Sequence, residues 1–254
     1  MKNIRIIPRL DIKGPNVVKP VQTEALRIVG NPKELAHRYY QEGADELIYL
    51  DIVASLYGRN LDFELLKSVA KNIFIPITVG GGIRSIHDIN NVLRSGADKV
   101  AINTYVVKHP EFISEAVKKF GSQCIVLYVE AKKQPNGSYE VYTDGGREKT
   151  GIEVVGWVKK AIDLGVGEIL LTSIDKDGTR AGFDVELLKK ISSFSPVPVI
   201  AHGGAGNVDS LKEAVLEAKV DALGISSMFH YNECSISKAK DYLAKNDINV
   251  RIIS

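Results

Sequence analysis

An internal duplication constrains the fold of this chain more than any other feature. Residues 75–104, IPITVGGGIRSIHDINNVLRSGADKVAINT, recur as residues 197–227, VPVIAHGGAGNVDSLKEAVLEAKVDALGISS. In each copy a strand pattern leads into a glycine cluster, a helical pattern follows, and a second strand pattern ends in small polar residues. Gly81 of the first copy corresponds to Gly203 of the second, an offset of 122 residues in a chain of 254. The presence of the same βα unit in each half predicts a closed, symmetric barrel.

Short apolar runs rich in valine and isoleucine alternate with helical patterns along the whole chain, as is typical of strands that are covered on both faces. The predicted strands span residues 4–10, 46–51, 75–79, 99–102, 124–129, 168–171, 197–201 and 222–225. The predicted helices span residues 32–41, 63–70, 86–95, 110–119, 153–163, 185–192, 209–217 and 237–244.

Eight such alternations predict an α/β fold, a (β/α)₈ TIM barrel built from two similar half-barrels. We expect a single domain over residues 1–254, with an internal repeat at roughly 1–121 and 122–254. A doubly wound open sheet is the alternative, but it does not explain why the chain divides into halves.

Composition and charge narrow the class of protein. The chain is 44% hydrophobic and 25% charged, and its net charge of +2 gives no reason to expect a nucleic acid or membrane partner. It has no apolar run of 18 residues and no signal-peptide pattern, so we expect a cytoplasmic protein. Cys124 and Cys234 have neither CxxC nor metal-ligand spacing, so we expect reduced thiols and no metal site.

Two long segments interrupt the regular alternation. Residues 12–31 follow the first predicted strand, and the polar residues 132–150 follow the fifth, with a hairpin signal at Pro135-Asn136-Gly137. Segments that follow barrel strands lie on the C-terminal face, where barrel enzymes keep their chemistry. We therefore expect both segments to be lids or binding loops.

Two glycine clusters each follow a strand and precede a helix. Glycine lets backbone N–H groups approach an anion closely, and a helix N-terminus adds a favourable dipole. For either cluster alone, a tight turn is an equally good interpretation. Because the clusters occur at matched positions, each with a hydroxyl after the next strand, we predict two phosphate sites and a bisphosphate ligand. The predicted phosphate-binding residues are Gly81, Gly82, Thr104, Gly203, Gly204 and Ser227.

Carboxylates stand at or beyond the ends of several predicted strands. Asp11 and Glu130 follow the first and fifth strands, on opposite sides of a barrel, and such a pair suits general acid and base catalysis. A solvated acid at the start of a loop is the alternative for either one alone. Further polar candidates with ordinary structural alternatives are Lys19, Asp51, Asn103, Asp177 and His202.

Charged residues also occur at the opposite end of the predicted barrel. Arg5, Glu46, Lys99 and Glu168 each stand at or near the start of a strand. Charges inside a barrel are costly unless they are paired, so two cations and two anions predict a closed ring. A purely structural salt-bridge layer is the alternative.

With these residues the chain resembles the cyclase subunit of imidazole glycerol phosphate synthase, an enzyme family of histidine biosynthesis. The resemblance runs through nearly the whole chain. The motifs that carry it are LDIK at 10–13, DELIYLDI at 45–52, TVGGGI at 78–83, GADKVAINT at 96–104, FGSQ at 120–123, GEILLTSIDKDGT at 167–179, GGAG at 203–206 and NVR at 249–251. The isomerase of the preceding step is a sister family, but FGSQ, GEILLTSID and the C-terminal NVR favour the cyclase.

The resemblance implies a barrel enzyme, a lyase, that forms a heterodimer with a glutaminase subunit and uses no metal or organic cofactor. Ammonia from the glutaminase would enter at the N-terminal end and react with a phosphoribulosyl formimino carboxamide ribotide, giving imidazole glycerol phosphate and an aminoimidazole carboxamide ribotide. The resemblance implies that Asp11 and Glu130 are the acid and base. Substrate-binding positions would be Lys19, Asp51, Asn103, Thr172 and Asp177, and the ammonia gate would be Arg5, Glu46, Lys99 and Glu168.

The chain departs from the family pattern on the active-site face. Glu130 stands where the family has aspartate, and about 1 Å of misplacement can cost about 10²-fold in rate. Arg9 replaces a small residue, Pro20 a glycine, and His202 another small residue. Two alternatives therefore stay open: a paralog that channels ammonia to sugar amidation in surface-glycan synthesis, and a non-catalytic scaffold that activates a glutaminase.

Overall fold

A computed structural model describes residues 2–21 and 24–252 of the chain. The strands within these residues are β1 Arg5–Lys13, β2 Asn16–Val21, β3 Glu24–Gly30, β4 Leu47–Asp51, β5 Ile77–Gly80, β6 Lys99–Ile102, β7 Ile125–Lys133, β8 Tyr139–Thr143, β9 Glu148–Glu153, β10 Glu168–Ser173, β11 Val199–His202 and β12 Ala222–Ile225. The α-helices are α1 Pro32–Gln41, α2 Phe63–Ala70, α3 Ile86–Arg94, α4 Thr104–Lys108, α5 Glu111–Phe120, α6 Val154–Asp163, α7 Val185–Ser192, α8 Val208–Ala218, α9 Ser227–His230 and α10 Ile236–Lys245.

Eight parallel strands close into a barrel. Neighbouring strands pair in the order β1, β4, β5, β6, β7, β10, β11 and β12, and β12 returns to pair with β1. Helices connect the consecutive strands, so the predicted (β/α)₈ barrel is confirmed and the open sheet is wrong. The strands β6 and β12 and the helices α1, α2 and α7 have the predicted bounds, and the other predicted elements begin or end within a few residues of them.

The duplication appears in the hydrogen bonds that begin equivalent strands. Asp98 accepts a bond from the backbone N–H of Ile77 at 2.9 Å, and Asp221 accepts one from Val199 at 2.8 Å. Each aspartate precedes one barrel strand and fixes the start of its neighbour. The short helices α4 and α9 also occupy equivalent places after β6 and β12, although the sequence did not predict either of them.

The two long segments that follow β1 and β7 are antiparallel extensions of those strands. The pair β2 and β3 extends β1, and the pair β8 and β9 extends β7. The predicted hairpin turn is confirmed, because Gln134 and Ser138 pair across Gly137, whose φ is 82°. Residues 22 and 23 of the first segment lie outside the described residues. Pro20 sits where the β2–β3 pairing shifts register, since proline has no N–H to donate.

The core has an outer and an inner part. The outer part packs the helices against the barrel wall. The inner part fills the barrel with Ile7, Ile48, Leu50, Ala101, Val126, Leu170, Ile200 and Ala222. Polar side chains from the same strands lie on either side of this apolar plug, and they form the two clusters described next.

Candidate active site

The N-terminal end of the barrel holds a closed ring of four charges. Arg5 contacts Glu46 at 2.7 Å and Glu168 at 2.6 Å. Lys99 contacts the remaining oxygens of the same two glutamates at 2.9 and 2.8 Å. Every charge therefore has two partners of opposite sign, which is the arrangement that partly buried charges require. The structure brings together all four residues that the sequence predicted as a ring.

Arg9 lies at the centre of the C-terminal end and contacts the first of the two predicted catalytic acids. Its Nε donates to Oδ1 of Asp11 at 2.8 Å, and both side chains are buried, at 4% and 0% exposure. Lys19 approaches the other oxygen of Asp11 at 3.6 Å and forms its closest ion pair with Asp177 at 2.7 Å. Asp11 is therefore enclosed by two cations.

The other face of Arg9 contacts residues of β7, β10 and β11. Nη1 donates to Oγ1 of Thr172 at 3.0 Å and lies 3.0 Å from Nδ1 of His202. Nη2 donates to the hydroxyl of Tyr128 at 3.2 Å, and the guanidinium also lies over the Tyr128 ring at 5.2 Å. The cation thus spans the mouth of the barrel.

Glu130 is held on the far side of Tyr128. The Tyr128 hydroxyl donates to Oε1 of Glu130 at 3.0 Å, and the side-chain amide of Asn103 donates to Oε2 at 2.9 Å. Glu130 is 4% exposed. The two acids are therefore connected through Arg9 and Tyr128 rather than separated by open space.

The two acids differ in their pKa. Burial alone would raise the pKa of Asp11, but the charges of Arg9 and Lys19 outweigh it and hold that pKa below its ordinary value. Burial raises the pKa of Glu130 to about 7, and the hydrogen bond from Tyr128 offsets it only in part. Burial and the neighbouring Arg9 hold the pKa of His202 well below its ordinary value, so this imidazole is neutral.

Glycine is required in both predicted phosphate clusters because of backbone packing. Gly81 and Gly204 have φ values of 110° and 103°. A Cβ on Gly81 would overlap the carbonyl oxygen of Asp51, and one on Gly204 would overlap that of Gly182. Steric need therefore accounts for glycine at both positions, and phosphate binding stays a prediction.

The space beside the two clusters is unequal. A cavity of about 190 Å³ lies at the first cluster and reaches Asn103 and Glu130. The equivalent cavity at the second cluster is about 10 Å³, and Lys19 and His202 are among the residues that line it. The lining residues of the two cavities include Gly81, Gly82 and Thr104 for the first, and Gly203, Gly204 and Ser227 for the second.

Several contacts in the site were not foreseen from the sequence. Arg59 binds Asp51 with both of its terminal nitrogens, at 2.8 and 3.0 Å, so this predicted substrate residue already has a partner. Tyr128 precedes Glu130 by two positions, as Arg9 precedes Asp11. Because side chains two apart on a strand share a face, this spacing was a signal that could have placed Tyr128 in the site.

Neither a metal cluster nor a membrane span is found in the described part of the chain. Among residues 2–21 and 24–252, no group of three or more His, Cys, Asp or Glu side chains could hold a metal ion. No helix within those residues is long and apolar enough to cross a membrane.

Comparison with known proteins gives one consistent result. Residues 5–235 match the family model described as "Histidine biosynthesis protein". The chain is 60% identical over 209 residues to "Imidazole glycerol phosphate synthase subunit HisF" of Legionella pneumophila, covering 82% of this chain and 99% of that protein. It is 47% identical over 247 residues to the protein of the same name from Alkaliphilus metalliredigens (strain QYMF), covering 97% and 98%. Neither name refers to a sugar substrate.

Proposed function

The chain belongs to the histidine biosynthesis protein family and is a relative of HisF, and from this we propose that it is the ammonia-dependent cyclase subunit of an imidazole glycerol phosphate synthase. Its substrate would be a phosphoribulosyl formimino carboxamide ribotide. The products would be imidazole glycerol phosphate, an aminoimidazole carboxamide ribotide and water. The two unpaired cysteines, Cys124 and Cys234, fit the reducing cytoplasm that we propose as its location.

The observation that carries the proposal is the pair of buried acids at the C-terminal end of the barrel. Ring closure with ammonia expels water, and cleavage releases the ribotide nitrogen, so protons must reach a departing oxygen and a departing nitrogen. Acid and base groups commonly contribute about 10²–10⁴-fold to such steps. Asp11 and Glu130, with pKa values moved in opposite directions, supply two carboxyl groups in different states of protonation. A scaffold that only activates a glutaminase has no use for such a pair.

The remaining side chains divide between the substrate and ammonia. We assign phosphate binding to Gly81, Gly82, Thr104, Gly203, Gly204 and Ser227, and substrate contacts to Lys19, Asp51, Asn103, Thr172 and Asp177. The ion pairs that Lys19 and Asp51 form with Asp177 and Arg59 would have to open or rotate as the substrate enters.

The four-charge ring is the proposed entry for ammonia. It closes the N-terminal end of the barrel, opposite the acids, and Arg5 and Lys99 remain partly accessible there, at 23% and 19% exposure. We propose that a glutaminase subunit binds this end and delivers ammonia through the ring.

The direct test is turnover by the purified chain with an ammonium salt and the phosphoribulosyl formimino carboxamide ribotide. We expect imidazole glycerol phosphate and the aminoimidazole ribotide in equal amounts. The absence of both products at saturating substrate would remove the proposal. Sugar amidation, the earlier alternative, gains no support from the names of the relatives.

A further inference from the structure

The buried guanidinium of Arg9 belongs neither to the acid pair nor to the proposed substrate, phosphate or ammonia sites. It contacts the side chains of four residues on four different strands around the mouth: Asp11 on β1, Tyr128 on β7, Thr172 on β10 and His202 on β11. A fully buried cation is costly unless it is paired and hydrogen-bonded, so an arrangement this complete indicates a specific purpose. What Arg9 does to the two acids rests on the proposed function, because it decides which role each acid has in that reaction.

The directions of the hydrogen bonds follow from the guanidinium, which can only donate. Nδ1 of His202 must therefore accept from Arg9, and its proton must be on Nε2. That nitrogen lies 3.3 Å from the hydroxyl of Ser226, which in turn donates to the backbone oxygen of Arg9 at 3.2 Å. The chain of bonds returns to the residue where it began, so the position of Arg9 is fixed from two sides.

The same rule orients the Tyr128 hydroxyl. Because this oxygen accepts from Arg9, its proton points to Glu130, where the distance is 3.0 Å. Arg9 thus meets Asp11 directly as an ion pair, but it reaches Glu130 only through a neutral phenol. Because Asp11 neutralises much of its positive charge, Arg9 stabilises the ionised form of Glu130 only weakly.

The access of the two carboxyl groups to substrate also differs. Glu130 lines the cavity of about 190 Å³, together with Asn103 and Tyr128. Asp11 has 0% exposure, and it is not among the described residues that line that cavity. A substrate bound at the first glycine cluster can meet Glu130 without any rearrangement.

We propose that Arg9 is a positioning residue that separates the roles of the two acids: it holds Asp11 as a fixed anion and leaves Glu130 to carry the proton that is exchanged with the substrate. Asp11 then stabilises positive charge in the mouth. Glu130 acts as the catalytic acid or base, according to the step.

The groups that face Glu130 agree with this division. Arg9 and Asp11 face it from β1, Tyr128 from its own strand, and Asn103 from the end of β6. The backbone N–H of Gly146 also reaches it from the turn between β8 and β9. Asp51, which shares the cavity, is neutralised by Arg59. Burial therefore outweighs the nearby charges, and the pKa of Glu130 rises to about 7.

A protonated Glu130 also has an acceptor within reach. The Oδ1 atom of Asn103 is buried and has no hydrogen-bond partner within the described residues. It belongs to the same amide whose nitrogen donates to Glu130 at 2.9 Å. A half-turn of this amide would present Oδ1 to the Glu130 proton, so Asn103 can serve both protonation states.

The test is a carboxyl titration of the full chain by NMR with ¹³C-labelled glutamate, where Glu130→Gln identifies the resonance of Glu130. We expect that resonance to titrate near pH 7, and to move up by about 1 pH unit in Tyr128→Phe, which loses one bond to the charged form. Tyr139→Phe is the matched control, because it loses a 2.9 Å bond from tyrosine to Asp184 away from the mouth. The control should leave the Glu130 resonance in place.

The same variants separate this inference from the proposed function. Labelled aspartate in Arg9→Met should show Asp11 titrating at higher pH, and if that variant does not fold, the tyrosine pair alone decides. In the wild-type protein, one limb of the pH profile of ammonium-driven turnover should have its midpoint near pH 7. That midpoint should shift in Tyr128→Phe. A Glu130 resonance that titrates at its ordinary pH, or that ignores Tyr128→Phe, overturns the division of roles. The expected titration without any turnover removes only the proposed reaction.

Discussion

Nε of Arg9 lies 2.8 Å from Oδ1 of Asp11, so one of the two candidate catalytic acids is paired directly with a buried cation. Glu130, the other acid, reaches the same cation only through Tyr128. This asymmetry distinguishes the two halves of a duplicated barrel. Because of it, Asp11 and Glu130 should affect the stability of the fold and its pH dependence in different ways.

Removal of the Asp11 charge should destabilise the fold as well as stop catalysis. Asp11→Asn leaves Arg9 buried without its anion, and breaking a buried pair in this way costs about 3–5 kcal/mol. We expect a large fall in the urea midpoint at pH 7. Glu186→Gln, which breaks the exposed pairs with Lys133 and Lys190, is the control and should leave the midpoint almost unchanged. Equal midpoints for the two variants would contradict a buried ion pair at Asp11.

Glu130 should make the folded state less stable as the pH rises. Its pKa is raised in the folded state to about 7, so the folded protein keeps a proton that the unfolded chain loses above its ordinary pKa. Stability from this group is therefore present below about pH 4.5 and is lost as the pH rises to about 7, by roughly 3 kcal/mol. Urea unfolding of Glu130→Gln and wild type at pH 4.5 and 8 checks this. Relative to wild type, Glu130→Gln should have a higher free energy of unfolding at pH 8 than at pH 4.5. A difference in unfolding free energy that is the same at both pH values would refute the raised pKa.

The glycine clusters should be intolerant of a side chain for reasons of space. Gly81→Ala places a Cβ against the backbone of Asp51, whereas Gly137→Ala, at a similarly positive φ of 82°, meets nothing within 4 Å. The control should lose only the conformational cost of alanine, about 1–2 kcal/mol. We expect Gly81→Ala to lower the free energy of unfolding, measured with urea, clearly more than Gly137→Ala does, and to weaken substrate binding. A loss no greater than that of Gly137→Ala would mean that the backbone around Asp51 can move aside.

The charge ring should matter for delivered ammonia more than for free ammonia. Lys99→Met leaves Glu46 and Glu168 facing each other with one cation fewer, so the ring cannot keep its closed form. In the complex with its glutaminase, we expect glutamine-driven turnover to fall while ammonium-driven turnover is kept. Lys189→Met, which breaks the exposed pair with Glu217, should change neither rate. A parallel fall in both rates would remove the ring from ammonia delivery.

The sequence predicted the barrel because its evidence was periodic and repeated. Eight apolar strands, two matched glycine clusters and four charges near strand starts each point to one closed sheet. The strand pair after β1 was recognised only as a long segment, whereas the turn of the hairpin after β7 was predicted from Pro135-Asn136-Gly137. The helices α4 and α9 were missed, because four or five residues give no helical period.

The site was foreseen as a set of positions, but its connections were not. Asp11 and Glu130 were named from their places at strand ends. The two-residue spacing from Glu130 could have placed Tyr128 on the same face, but it does not show that Tyr128 links the two acids. Arg59, which pairs with Asp51, lies in an irregular segment whose course depends on tertiary packing. Side-chain partners between distant strands depend on the barrel register, which the sequence did not supply.

The most direct test of the whole account compares ammonium-driven turnover by wild type with that of Glu130→Gln, at saturating phosphoribulosyl formimino carboxamide ribotide. Glutamine keeps the shape and the hydrogen-bonding reach of Glu130 but cannot exchange a carboxyl proton. We expect wild type to form imidazole glycerol phosphate and the variant to lose about 10²-fold or more in kcat. No product from wild type, or an equal rate from both proteins, would contradict the account.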